Sequence, residues 1–181
     1  QNEYLDPSVQ KGGNAGYSGC VEHTSVIYSQ LVREAKHNRR DLNIIWLDLA
    51  NAYGSIPHKL IKKALHHYHI PEHIRGIIKA TYRQNQHQVH HQNLHNILEG
   101  LEKGIVTGCA ISVILFVMGM NLIIKPSERE AKDPQTKSGI RMPTTRGYMD
   151  DLTLTEEKPV QAQWVLTALD REATSARMCF K

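Results

Sequence analysis

The spacing of apolar positions along the chain predicts an alternation of helices and strands. Apolar residues recur at helical intervals from about 21 to 36, where Ile27, Leu31 and Ala35 would share one face. The run 43–49 is instead continuously apolar, which predicts a strand covered on both faces. The remaining predicted elements are helices over 57–68, from 71 onward, over 110–125 and over 160–176, a strand-and-loop region over 84–96, a polar connection over 126–143, and a hairpin around Met149 and Asp150.

The two predicted helices that follow prolines are amphipathic. Pro57 and Pro71 suit the first turn of a helix, where a missing N–H has no cost. Each helix then has one apolar stripe that should face the core. The predicted inward residues are Leu60, Ile61, Ala64, Leu65 and Tyr68 in the first helix, and Ile74, Ile77, Ile78 and Tyr82 in the second.

The order of these elements predicts one domain of mixed α and β structure over residues 1–181, with a sheet that carries carboxylates. The most apolar stretch, 110–124, is shorter than the roughly 20 residues that span a bilayer, so it predicts a buried helix and no membrane partner. Neither end of the chain has a targeting signal or a clear terminus, and the chain is expected to be cut from a longer, intracellular protein of the nucleus or cytoplasm.

Composition narrows the class of protein only modestly. Hydrophobic residues make up 40% of the chain and charged residues 22%, which is typical of a folded globular domain. The net charge of +4 and the isoelectric point near 9.0 permit a phosphate-bearing partner. Three widely spaced cysteines, Cys20, Cys109 and Cys179, argue against a disulfide framework.

Three aspartates are the strongest candidates for chemistry. Asp48 ends the first predicted strand, and Asp150 and Asp151 lie at the tip of the predicted hairpin. Taken singly, Asp48 is typical of a strand end and the other two of a turn. Together they would repel one another unless a cation neutralised them, and hard oxygen ligands favour Mg²⁺, with Mn²⁺ as a substitute. Two such ions about 3.5–4 Å apart would support phosphoryl transfer.

Histidines are abundant but indicate a surface rather than a zinc site. The chain contains 11 of them, and no cysteine falls within the crowded stretch. Their spacing matches no compact Cys/His zinc pattern, so a polar, partly protonatable face is favoured. The crowded residues are His66, His67, His69, His73, His87, His90, His91 and His95.

Four segments together resemble the reverse transcriptases of non-LTR (LINE-type) retrotransposons. Tyr148-Met149-Asp150-Asp151 matches the Tyr-x-Asp-Asp box of that family, and 47–58 resembles its first catalytic motif. Residues 104–116 resemble its glycine-rich loop and following helix, and 10–20 its upstream Gln-x-Gly segment. The four occur in the family's order along nearly the whole chain. The resemblance implies an α+β fold, a polymerase palm with an antiparallel sheet packed against helices, truncated fingers and no thumb.

The resemblance implies a role for each matching residue. Asp48 and Asp150 would ligate two Mg²⁺ ions, with Asp151 and the main-chain carbonyl of Leu49 completing the metal site. Tyr53 would exclude a ribose 2′-hydroxyl. Substrate-binding residues would be Leu49, Tyr53, Thr107, Gly108 and Tyr148.

The implied activity is RNA-directed DNA polymerisation, with an RNA template, a DNA primer and deoxynucleoside triphosphates as partners. The chain departs from the common pattern at Val106, Thr107 and Val113, where many relatives have Pro-Gln and Pro. The isolated fragment is expected to polymerise poorly. Two alternatives stay open: a decayed or co-opted remnant that only binds nucleic acid, and another metal-dependent phosphoryl enzyme, such as a nuclease or a palm-type cyclase. The oligomeric state is not predicted.

Overall fold

The structure is a computed structural model that describes residues 9–13, 16, 20–85, 102–131, 134, 139 and 141–181.

A long helix precedes the sheet, and the predicted helix over 21–36 is confirmed. It consists of α1 (Cys20–Val26), a π-helical segment (Ile27–Val32) and α2 (Arg33–Asn38), which run without a break. Ile27 and Leu31 are buried as predicted. Arg39 ends the helix in a left-handed conformation with φ of 51°.

Three short strands form an antiparallel sheet in the order β1-β3-β2. They are β1 (Asn43–Asp48), β2 (Thr145–Tyr148) and β3 (Asp151–Glu156). The predicted hairpin is therefore confirmed, with Met149 and Asp150 as its two turn residues. Because β3 is the central strand, the first strand of the chain pairs with a segment that follows it by about a hundred residues.

The remaining elements are helical. They are α3 (Ala52–Ser55), α4 (His58–His67), α5 (Glu72–Asn85), α6 (Ala110–Ser127), a 3₁₀ turn (Glu128–Glu130) and α7 (Pro159–Ser175). The one-turn helix α3 was not predicted. Helix α6 continues through Pro126, which had been assigned to the polar connection; the rest of that connection lies mostly outside the described residues. Of the strand-and-loop prediction, Gln84 and Asn85 belong to α5, and 86–96 lies outside the described residues.

Burial is uneven across the sheet: β2 and β3 are buried on both faces except at their hairpin ends, whereas β1 is only partly covered. One face contributes Leu152 and Leu154 to the core, with Phe116 of α6 and Leu169 of α7. On the other face Trp46 is 75% exposed. The prediction that this strand is covered on both faces is therefore wrong: β1 is an edge strand with one face largely open, and its apolar run reflects β-propensity rather than double burial.

Helix α4 buries the predicted stripe, whereas α5 buries only part of its own. Ile78 is buried and Tyr82 is half-buried against the core, but Ile77 is 60% exposed and Ile74 37% exposed. The prediction that all four face inward is wrong for these two isoleucines. Ile78 and Tyr82 form the stripe of α5 that meets the core. Ile77 lies beside this stripe, and Ile74 lies one turn before Ile78, near the start of the helix.

Helix α6 is the central helix of the core. With the following turn it forms a 21-residue stretch, Ala110–Glu130, whose mean hydropathy of 1.7 would by length and composition alone suffice to cross a membrane. In the fold, 61% of that apolar window is buried within the protein, between α4 and α7, as in a core helix. The predicted buried helix is confirmed, although it is longer than predicted.

One residue of α6 conflicts with its surroundings. Asn121 is fully buried, and within the described part of the chain neither its Oδ1 nor its Nδ2 has a hydrogen-bond partner. Replacing it by leucine should remove this cost, so Asn121→Leu is expected to raise the free energy of unfolding by about 1 kcal/mol or more in chemical denaturation. As a matched control, Asn43→Leu should destabilise, because Asn43 Nδ2 donates to the Glu156 and Glu157 carbonyls. If Asn121→Leu were no more stable than the wild-type protein, the conclusion that the Asn121 side chain is buried without hydrogen-bond partners would be contradicted.

Candidate functional site

The register of the sheet brings the predicted acidic residues together. Asp48, the last residue of β1, pairs directly with Asp151, the first residue of β3, and Asp151 also pairs with Tyr148 of β2. Directly opposed residues in an antiparallel ladder have Cα atoms about 4.5–5.5 Å apart and side chains on the same face. Two of the predicted carboxylates and the tyrosine of the Tyr-x-Asp-Asp box therefore form one row at the end of the sheet.

Asp150 completes this acidic edge from the hairpin turn. The turn consists of Met149, which has a positive φ of 59°, and Asp150. Burial raises the pKa of Asp151, and the negative charges of Asp150 and Asp48 raise it further. The three carboxylates are thus close enough to repel one another, the condition under which a divalent cation stabilises a site.

Asp48 makes an ion pair that sequence reasoning missed. The chain returns antiparallel to the end of β1, with Ala50 N–H donating to the Cys179 carbonyl at 2.9 Å and Lys181 N–H to the Asp48 carbonyl at 2.8 Å. Lys181 Nζ then donates to Asp48 Oδ2 at 2.8 Å. This hydrogen bond and the charge of Asp48 raise the pKa of Lys181, and the charge of Asp150 adds to them. No sequence pattern had assigned Lys181, because only the fold brings it to the acidic edge.

The main-chain carbonyl of Leu49 also faces this region. The bonds to the returning segment are made by the Asp48 carbonyl and the Ala50 N–H, on either side of Leu49. Successive carbonyls in an extended chain point to opposite sides, so that of Leu49 points away from the returning segment and towards the β2–β3 hairpin. The Leu49 side chain is buried in the core, which fixes this orientation.

Tyr53 lies in α3, directly beyond the acidic strand end. Its ring stacks on Phe116 of α6, with centroids 5.0 Å apart and an interplanar angle of 8°. Burial raises the pKa of Tyr53, and the charge of Asp150 raises it further. The half-buried ring is therefore held flat against the core, near the acidic edge.

The glycine-rich loop before α6 lies beside Tyr53. Ile105 N–H donates to the Tyr53 carbonyl at 2.8 Å, which anchors the start of the loop. Thr107 and Gly108 follow at an exposed turn. Gly108 has a φ of +82°, and a Cβ there would meet nothing within 4 Å, so the structure gives a conformational reason for this glycine.

Gln10 is a second residue that sequence reasoning left without a role. It is fully buried, and its side-chain amide bonds to the peptide of Met149 in the hairpin turn. The sequence feature that could have indicated this contact is the Gln-Lys-Gly-Gly segment, because glycines have no Cβ to prevent its backbone from approaching the hairpin closely.

The acidic edge suits hard divalent cations by its donor types. Asp48, Asp150 and Leu49 offer carboxylate and carbonyl oxygens, the ligands that Mg²⁺ prefers when it also retains water and substrate phosphates. Among the described residues, no group of three or more His, Cys, Asp or Glu side chains is arranged to hold a metal ion by itself. The predicted ligands Asp48, Asp150 and Asp151 are neighbours at the end of the sheet.

The histidines contribute no metal cluster within the described ranges. His66, His67, His69 and His73 are exposed on and around α4 and α5, and the predicted polar surface accounts for them. His87, His90, His91 and His95 lie outside the described residues. The three cysteines are free thiols, as expected.

Comparison with known proteins identifies the family. Residues 9–181 match the family described as reverse transcriptase (RNA-dependent DNA polymerase). The chain belongs to this family. It is also similar to the retrovirus-related Pol polyprotein from type-1 retrotransposable element R2 of Nasonia vitripennis, with 26% identity over 107 residues. That alignment covers 59% of the chain and spans 10% of the length of the Nasonia protein.

The predicted family and the α+β, palm-like fold are therefore confirmed. Reverse transcriptases generally depend on divalent metal ions and use a nucleic-acid template, a primer and nucleotides. The acidic edge formed by β1 and the β2–β3 hairpin is where this reverse transcriptase domain gathers Asp48, Asp150 and Asp151.

Lys181 should compete with divalent ions for Asp48. The substitution Lys181→Met removes the ammonium from Asp48 Oδ2, so we expect Mn²⁺ to bind about two- to fivefold more tightly, as measured by electron paramagnetic resonance titration without nucleotide. Lys158→Met is the matched control, because it removes the same charge from an exposed position at the far end of β3. Equal Mn²⁺ affinity in the two variants would show that the ion pair does not oppose metal binding.

Proposed function

We propose that this domain catalyses RNA-directed DNA synthesis by joining a deoxynucleoside triphosphate to the 3′-hydroxyl of a DNA primer paired with an RNA template. The observation that carries the proposal is the pairing of Asp48 with Asp151 at the end of the sheet, directly beside Asp150 in the hairpin turn. Membership of the reverse transcriptase family supports the class of reaction.

Each residue of the acidic edge has a task in this proposal. Asp48, Asp150 and the Leu49 carbonyl would hold two Mg²⁺ ions, and Asp151 would add negative charge next to them. When bound, such ions lower the pKa of the attacking hydroxyl and neutralise the pyrophosphate leaving group. The protein itself supplies position and charge rather than a nucleophile: the sheet register sets the spacing of the carboxylates, and the core behind it keeps the sheet rigid.

The surroundings of the acidic edge fit a nucleic-acid substrate. Asp48 and Trp46 of β1 and Asp151 of β3 are exposed, so a duplex could approach the carboxylates at this end of the sheet without displacing core residues. Template sequence would be read by base pairing, which leaves the protein to contact backbone and duplex shape. Tyr53, Thr107, Gly108 and Tyr148 are the proposed contacts to the nucleotide and the template. In support, Tyr148 pairs with Asp151, and the loop that contains Thr107 and Gly108 begins with a hydrogen bond from Ile105 N–H to the Tyr53 carbonyl.

The role of Asp150 is tested by primer extension. The chain should be assayed on a primed RNA template both by itself and joined to the rest of its reading frame, because the similar Nasonia protein is far longer than the aligned stretch. Asp150→Asn keeps the size of the side chain but removes its charge, so we expect extension to fall by about 10²-fold or more.

Asp170→Asn is the control for this charge change, since Asp170 is an exposed residue of α7 away from the sheet edge. It should extend primers like the wild-type protein. Extension that is equally strong in the Asp150→Asn variant would overturn the assignment of the site. Absence of extension by the wild-type protein in both forms would overturn the proposed function, and cleavage of the nucleic acid instead would indicate a nuclease.

Tyr53 is the proposed barrier to ribonucleotides. Its ring is fixed by stacking on Phe116, so it cannot easily move aside for a 2′-hydroxyl. Tyr53→Val shortens the side chain and should reduce the preference for deoxynucleotides over ribonucleotides, measured as a ratio of kcat/KM, by about tenfold or more. Tyr53→Phe keeps the ring and should retain the preference. If Tyr53→Val discriminates as well as Tyr53→Phe, the ring is a core residue and not a barrier.

A further inference from the structure

The buried side chain of Gln10 contacts the hairpin tip that carries Asp150. We infer that Gln10 is a positioning residue, which fixes the peptide of Met149 and thereby holds Asp150 in place to bind a divalent cation. The inference deepens the proposed function and rests on it, because Asp150 needs a fixed position only if it serves as a ligand.

The side-chain amide of Gln10 pairs with both polar groups of one residue. Gln10 Nε2 donates to the Met149 carbonyl at 3.0 Å, and Gln10 Oε1 accepts from the Met149 N–H, also at 3.0 Å. Gln10 Oε1 accepts a second hydrogen bond, from the Gly12 N–H at 3.0 Å. An amide that both donates and accepts has the required geometry in a single planar group, whereas a carboxylate can only accept and a lysine can only donate.

The segment around Gln10 is itself fixed to the sheet. Gly147 N–H donates to the Val9 carbonyl at 2.6 Å, and Lys11 N–H donates to the Gly147 carbonyl at 2.9 Å. These bonds form a parallel bridge between Gln10 and Gly147 on the outer edge of β2. The position from which Gln10 reaches Met149 is therefore set by backbone contacts to the same hairpin.

Three glycines leave the space that this arrangement requires. A Cβ on Gly12 would lie 2.5 Å from the Met149 nitrogen, and one on Gly147 would lie 2.8 Å from Gln10 Nε2. A Cβ on Gly13, which has a φ of +74°, would lie 2.7 Å from Val113 Cγ1 of α6. The Gln-Lys-Gly-Gly segment is thus packed between the hairpin and α6 with no room for side chains at its glycines.

Met149 is the residue in the turn that most needs an external support. It has a φ of 59°, in the left-handed region that residues with a Cβ rarely adopt and that glycine adopts freely. The N–H of Met149 belongs to its peptide bond with Tyr148, and its carbonyl belongs to its peptide bond with Asp150. Hydrogen bonds to both groups therefore restrain the chain on both sides of Met149. Freed from Gln10, the tip could relax, and Asp150 would lose its fixed position next to the Asp48–Asp151 pair.

The test uses Gln10→Met, which keeps the length of the side chain but makes none of the three hydrogen bonds to Met149 and Gly12. In the 181-residue chain we expect amide exchange at Met149 to become at least about tenfold faster and Mn²⁺ binding to weaken by about tenfold, the size of effect typical of residues that orient a metal ligand. Gln163→Met, on the exposed face of α7, is the matched control and should change neither quantity.

A second variant separates positioning from loss of folding. Gly147→Ala leaves Gln10 intact but places a Cβ against its Nε2, so it should also weaken Mn²⁺ binding and free the Met149 amide. Circular dichroism shows which variants are folded. In the wild-type chain the Met149 amide should be protected from exchange, and an unprotected amide would overturn the inference whatever the variants do.

The outcomes distinguish this inference from the proposed function. Unchanged Mn²⁺ affinity in a folded Gln10→Met variant with a freed Met149 amide would overturn the positioning role. A tenfold weaker affinity in that variant supports the role even if the wild-type protein extends no primer, in which case only the polymerase assignment fails. Where extension is measurable, Gln10→Met should lower kcat while leaving KM for the deoxynucleotide largely unchanged.

Discussion

The register of one antiparallel strand pair governs the candidate site. Asp48 and Asp151 lie opposite each other because β1 and β3 pair from Asn43 with Glu156 to Asp48 with Asp151, without a bulge. A shift by one residue would turn every side chain of β1 to the other face and would move Asp48 into the core. The same register places Leu152 and Leu154 against α6 and α7. The packing of the core and the position of the carboxylates therefore depend on the same strand register.

This strand register concentrates three carboxylates at the end of the sheet, and two contacts act on them: an ion pair from Lys181 and hydrogen bonds from Gln10. The mutual repulsion appears as the raised pKa of Asp151. Lys181 supplies a positive charge to Asp48 from the returning segment, at a location that is exposed and therefore easily exchanged for another cation. On the other side of the site, Gln10 restrains the backbone of the turn without adding charge. Cation and amide thus act on opposite sides of the same acidic edge.

One departure from the common family pattern, Val113, has a defined neighbour in the structure. Val113, which stands where many relatives have proline, packs in α6 at the place where Gly13 of the upstream segment passes, so its branched side chain has a defined neighbour. Ser112 is fully buried and shares a hydrogen bond of 2.8 Å with the Tyr82 hydroxyl, which joins α5 to α6. For Thr107, which lies in the exposed turn before α6, no contact in the structure explains the substitution.

The sequence alone predicted the longer helices, the hairpin and the cluster of three aspartates, because these follow from local periodicity, turn chemistry and short motifs, but it missed the one-turn helix α3. It failed where burial depends on distant partners: Trp46 lies on an open face, and Ile77 lies beside the narrow stripe of α5 that meets the core. Only the tertiary structure decided that Lys181 reaches Asp48 and that Gln10 reaches Met149. The first contact joins residues 133 positions apart in the sequence and the second joins residues 139 positions apart. A local sequence pattern covers only a few neighbouring residues and cannot predict contacts of this separation.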